Sequence, residues 1–174
     1  MKASLRYVLG AALLSAVWAA ACKNDDPASP VTTPPATTPA LPQGVEALRA
    51  ALEPYTSFAM AKGAGFTSIT DCMSSGDLGA MGIHFGKTST FDAVIDSLHP
   101  EIVIYEPGTN GEMSLVGVEF VIPYTSLPKT ATAPVLFGQK FLQNDGFQLW
   151  GLHVWTHRTN PSGLFASWNP RVHC

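Results

Sequence analysis

Glu101-Ile102-Val103-Ile104-Tyr105-Glu106-Pro107-Gly108-Thr109-Asn110-Gly111-Glu112-Met113-Ser114-Leu115-Val116-Gly117-Val118-Glu119-Phe120-Val121-Ile122-Pro123-Tyr124 is the stretch on which the fold turns. Residues 101–106 form a β-branched and aromatic run, stopped by Pro107 and by turn residues 108–111. Residues 113–124 are a second apolar run. The short connection predicts that the two pair as an antiparallel hairpin. Glu106 ends the first strand before proline, where a solvated carboxylate is the ordinary reading. Glu119 lies inside the second run and shares its alternating face with Met113, Leu115, Gly117 and Val121. That face is too apolar for a wet surface, so the carboxylate needs a partner.

Downstream, Val135–Phe141 reads as a short edge strand, Gln143–Gly146 as a turn and Phe147–His157 as the last strand. Two Asn-Pro turns follow, Asn160-Pro161 and Asn169-Pro170. Trp150, Trp155, Phe165 and Trp168 form an aromatic group suited to packing or to stacking a ligand. Upstream, Val45–Lys62 places Val45, Leu48, Leu52, Tyr55 and Ala59 on one helical face. Pro54 must kink that helix or start a second one, and Gly63 and Gly65 stop it. Thr67–Gly79 is polar and turn-rich, Met81–Gly86 is a strand, and Thr90–Leu98 is a short helix or turn. One helix followed by about five strands, without βαβ alternation, predicts an α+β domain. Its helix would pack on a curved, mostly antiparallel sheet or a small β-barrel.

Three strands share one construction, a glycine two residues before an ionisable side chain. The copies are Gly82-Ile83-His84, Gly117-Val118-Glu119 and Gly151-Leu152-His153. Residues i and i+2 face the same way along a strand, so each ionisable group stands beside a position with no side chain. Two imidazoles and a carboxylate suit a divalent transition metal such as zinc, with open positions for water or substrate. The same residues also suit a small-ligand site, a buried polar network that only holds the fold, which is the commoner use of such pairs, or a metal-free acid/base centre. His157 lies ~13 Å along the strand from His153 and is expected at the rim rather than in the set. His99 and His173 read as surface or turn residues. Glu106 and Glu119 offer a carboxylate pair, as does any chain this size, so sugar hydrolysis gains no specific support. The sequence contains no Gly-x-Ser-x-Gly elbow, phosphate-binding glycine loop, His-Glu-x-x-His or Cys-x-x-Cys.

The segments MGIHFG, PEIVIYEP, LVGVEF, LFGQKF, LHVW and NPSGLFASWNP together resemble an uncharacterised family of secreted bacterial proteins and lipoproteins. The resemblance spans about residues 55–174. No established activity attaches to that family, so it supports the fold and implies no mechanism.

The N-terminus has a basic start at Lys2 and Arg6, an apolar run from Val8 to Ala21, and small residues leading into Cys22. This pattern reads as an export signal over residues 1–21. It resembles a bacterial lipoprotein signal, with Cys22 as the lipidated first residue of the mature chain. Residues 22–44 then form a Pro/Thr-rich tether that cannot bury enough surface to offset its chain entropy. Residues 45–174 form the single globular domain. Lys23 follows the cysteine, which by likeness to Gram-negative lipoproteins implies sorting to the outer membrane. The expected location is the cell envelope, on the periplasmic or surface face of the outer membrane. The expected partners are that membrane, through the lipid anchor, and a small molecule or metal.

Two cysteines remain, Cys72 and Cys174, and an oxidising compartment would join them. Loss of Lys2 and Arg6 with the signal takes the formal charge from −3 down by two, to −5. With basic residues scattered rather than clustered, nucleic acid is not an expected partner.

Overall fold

Residues 101–124 fold as the expected hairpin. The computed structural model describes residues 40–174; Cys22, the signal segment and the tether up to residue 39 lie outside the described residues. In chain order, helix α1 (Val45–Leu52) runs through a 3-10 turn (Glu53–Thr56) into α2 (Phe58–Gly63). The strands are β1 (Thr67–Ser68), β2 (Met73–Ser74), β3 (Ala80–Gly86), β4 (Ile102–Pro107), β5 (Met113–Pro123), β6 (Val135–Leu136), β7 (Gln139–Lys140), β8 (Leu142–Asn144) and β9 (Leu149–Val154). Seven of them form one sheet with the path β1-β3-β4-β5-β9-β8, and β2 also pairs with β3. Every pairing is antiparallel. The domain is therefore α+β with an open sheet. Its path ends at β1 and β8 without closing into a barrel, and it contains more strands than the five expected.

Pro54 resolves the N-terminal helix. Lacking a donor and clashing with the preceding turn, it occupies the first turn of the 3-10 segment and resets the helical phase. Val45, Leu48 and Leu52 are buried as expected. Beyond the proline Ala61 points inward and Ala59 faces solvent. Gly65 (φ 96°) supplies the stop.

The sheet buries both faces. On the helical side, Leu48 and Leu52 pack over Val103, Tyr105, Val118, Phe120, Leu152 and Val154. On the other, Ile102, Ile104, Val116, Val121 and Trp155 form a smaller core closed by Ala80 and Val172. Trp150 and Trp155 thus lie in different cores, and the aromatic group read from the sequence divides across the sheet.

A β-bulge in β5 corrects the face assigned to Glu119. Ile104 pairs with Gly117 and Tyr105 with Leu115, so Val116 is an extra residue opposite β4. An extra residue flips the alternation beyond it. Leu115 and Met113 therefore join the helical core, while Val116 and Val121 share the side of Glu119.

The C-terminal segment folds back onto the sheet. Ala80 and Asn169 exchange backbone hydrogen bonds of 3.2 and 3.1 Å. The Asn160 and Asn169 side chains accept from the N–H groups of Ser162 and Arg171, as Asn-Pro turns require. Cys72 and Cys174 stand at disulfide distance, their Cα atoms 5.6 Å apart. The link fastens the segment between β1 and β2 to the last residue.

Candidate functional site

His84, Glu119 and His153 project from β3, β5 and β9 on the side opposite the helices. Register places them there. His84 is opposite Ile104, and Ile104 opposite Gly117; Glu119 is opposite His153 directly. Strands β3 and β9 are three spacings apart, about 14 Å in a flat sheet. Their imidazoles nevertheless approach edge to face with ring centres 5.9 Å apart. His84 Nε2 is 3.5 Å from Glu119 Oε2. The structure thus brings together all three residues singled out in the sequence.

The glycines beside them do not leave the room expected for an ion. A Cβ on Gly82 would come within 2.5 Å of the Tyr105 carbonyl oxygen, and one on Gly117 within 2.7 Å of that of Val154. Backbone closes both positions, which is a common reason for glycine inside a strand. At Gly151 the intruding atom is Glu119 Oε1, 2.6 Å from where the Cβ would stand. The bare face of Gly151 seats the carboxylate itself. Among the described residues no group of three His, Cys, Asp or Glu side chains is arranged to hold a metal ion.

Burial sets the protonation of the set. His84 is driven down to about 4, chiefly by desolvation, with a hydrogen bond to the Gly82 backbone pulling the other way. His153 falls to about 3 through burial, with His84 adding to it. Burial raises Glu119 to about 7. At neutral pH both imidazoles are uncharged and the carboxyl is near its midpoint, so Glu119 is the group of the three that changes charge there. Thr70 orients His84 from both ends: its hydroxyl oxygen accepts from the His84 backbone N–H (3.1 Å) and lies 3.3 Å from Nδ1. His153 stacks flat on Trp155, with ring centres 4.7 Å apart and planes 14° apart. Its Nε2 is buried and finds no hydrogen-bond partner.

His84 and Glu119 line a cavity of about 450 Å³. Apolar side chains dominate its wall, among them Ile69, Met73, Met81, Phe91, Phe147 and Leu149, while Thr70, Thr88 and Asn144 add neutral polar groups. Gly86, like Gly151 beside Glu119 and Leu149, shapes this wall by the side chain it lacks. A Cβ on Gly86 would meet Ile69 Cδ1 at 2.8 Å and Phe91 Cζ at 3.1 Å. Glu119 retains 19% of its side-chain surface, and as a lining residue it presents that surface to the cavity. His153 lies behind it.

The remaining ionisable residues fall into place around this centre. His157 lies past the end of β9, its N–H bonded to the Val116 carbonyl. Burial lowers its imidazole, with Glu53 of the helical layer opposing and Arg49 adding to the effect; it is outside the set, as the spacing implied, and does not line the cavity. His99 and His173 are exposed. Glu106 is not a free surface carboxylate: it pairs with Arg158 and accepts from the His173 N–H at 2.9 Å. Glu101 was not singled out in the sequence, yet it is 4% exposed and accepts from the Val121 N–H at 3.1 Å. Burial raises it to about 7, with Asp92 and Asp96 adding to the rise. Its one sequence signal is a carboxylate directly after Pro100 at the head of a buried strand, where a side chain can replace missing ladder bonds.

Chemically, the site offers a neutral hydrogen-bonding centre at one end of an apolar chamber, with a single group, Glu119, that ionises near neutrality. No family model, curated protein or solved structure matches the chain.

Proposed function

We propose that this is a lipid-anchored envelope protein whose domain binds a small, largely apolar molecule, with one polar group directed at Glu119 and His84. The observation that carries this reading is the 450 Å³ cavity with that pair among its lining. Its volume lies in the range of small-ligand pockets, and an apolar wall with few convergent polar groups is their usual chemistry. The anchoring part of the proposal rests on the basic and apolar N-terminus ending in small residues before Cys22. Residues 22–44 would then hold the domain away from an outer membrane, facing the periplasm or the surface.

A second reading has its own support. Because Glu119 already fills the bare face of Gly151, the three residues also suit a polar network that holds the sheet and binds nothing. Calorimetric titration with the neutral probe 1-naphthylmethanol separates the two. Binding at one site per chain, weakened at least tenfold in Met73→Trp, which enlarges a wall residue, supports the ligand site. Absence of binding in the parent protein supports the structural network.

A further inference from the structure

The charge carried by the cavity indicates which molecules it accepts. Among the described residues lining it there is one carboxylate, Glu119, and no lysine or arginine. The other groups facing Glu119 cannot supply positive charge at neutral pH. His84 from β3 is desolvated, with Thr70 at its Nδ1, and His153 from β9 is desolvated against Trp155. Behind the Ile102 wall lie the acidic Glu101, Asp92 and Asp96, the last paired with His99 at 2.8 Å, and Lys87, whose backbone N–H bonds the Glu101 carbonyl. Glu101 is bonded to the Val121 N–H two residues along from Glu119, and Asp92 and Asp96 bear on Glu101. On the β8 side, Lys129 is committed to Asp145 at 2.6 Å. Any net charge within the chamber is therefore negative, in a setting where water screens it poorly.

Phe91 and Phe147 add aromatic surface to the wall. Aromatic faces attract cations and offer nothing comparable to anions. An anionic amphiphile such as a fatty acid would bring a second carboxylate against Glu119 with no counter-charge. An ammonium group would instead donate to Glu119 Oε2 and keep its apolar body against Ile69, Met73 and Leu149.

We propose that the cavity selects small hydrophobic cations, an ammonium group on an apolar body, with Glu119 as the counter-charge. This rests on the ligand-cavity reading above, and the test separates the two. Three probes sharing one ring system, 1-naphthylmethylamine, 1-naphthylmethanol and 1-naphthoate, are titrated calorimetrically into the full chain at pH 8 and pH 6. The same titrations are made with Glu119→Gln. The expected order at pH 8 is amine at least tenfold tighter than alcohol, with naphthoate weakest. The amine's advantage should shrink at pH 6 and vanish in Glu119→Gln, while alcohol binding persists. Equal binding of amine and alcohol, or a preference for naphthoate, overturns the cation proposal and leaves the cavity reading standing. An amine preference that survives Glu119→Gln overturns the assignment of Glu119. Failure of all three probes removes the ligand reading itself.

Discussion

Glu119→Gln also tests whether the carboxylate is as desolvated as its position implies. In the folded chain its carboxyl rises from 4.5 to about 7 because burial penalises the charged form. A group that holds its proton more tightly folded than unfolded subtracts stability as pH climbs from the lower value to the higher. Below pH 4.5 both states are protonated and there is no penalty; above pH 7 the penalty is complete. At 1.36 kcal/mol per pH unit, the rise amounts to about 3 kcal/mol. The amide cannot ionise but keeps the shape and a donor toward His84. The variant should therefore be within about 1 kcal/mol of the parent at pH 4.5 and more stable by about 3 kcal/mol at pH 8. The two imidazoles act in the opposite sense. Their lowered values, about 4 and about 3, add stability as pH rises toward 6.5; being present in both proteins, they cancel in the difference. Urea denaturation at half-unit steps from pH 4.5 to 8 measures the gap. A difference that stays constant across that range would mean that Glu119 is solvated and carries no burial penalty.

Other consequences follow from the same contacts. Gly117→Ala should cost about 2–3 kcal/mol, because its Cβ meets the Val154 carbonyl at 2.7 Å and a strand must shift. Gly151→Ala meets only the tip of Glu119 and should cost roughly 1 kcal/mol while lowering probe affinity; equal costs for the two would contradict these contacts. Replacing both Cys72 and Cys174 by Ala removes a link between residues 102 apart. In the chain-entropy picture this lowers stability by ~4–5 kcal/mol, read from the urea midpoint, whereas an unchanged midpoint would mean the link is not formed. Metabolic labelling with an alkyne-bearing fatty acid should mark the parent chain and not Cys22→Ser; equal labelling of both would place the lipid elsewhere.

Much of the sheet was legible because strand signals are local. The Pro107-to-Gly111 punctuation fixed the hairpin, and i,i+2 alternation placed His84, Glu119 and His153 correctly on their strands. What the sequence could not show depends on pairing between distant segments. The bulge at Val116 arises where β5 meets β4, so simple alternation put Leu115 on the wrong face. The three glycines resemble one another in sequence, yet Gly82 and Gly117 admit backbone and Gly151 admits a side chain. Glu101 and Glu106 take their roles from residues 121, 158 and 173, far beyond the reach of local patterning. The cavity likewise needs β2 to β5 and β8–β9 assembled before its wall exists.

The central claim is that an apolar body occupies the chamber next to the Glu119–His84 pair. Titration of the full chain with 1-naphthylmethanol, followed by side-chain NMR, tests it directly. Saturable shifts are expected at the Ile69, Met73 and Met81 methyls and at the His84 ring, with the Leu48 and Leu52 methyls of the helical core unmoved. Shifts absent from the first group, or spread equally over both cores, would contradict it.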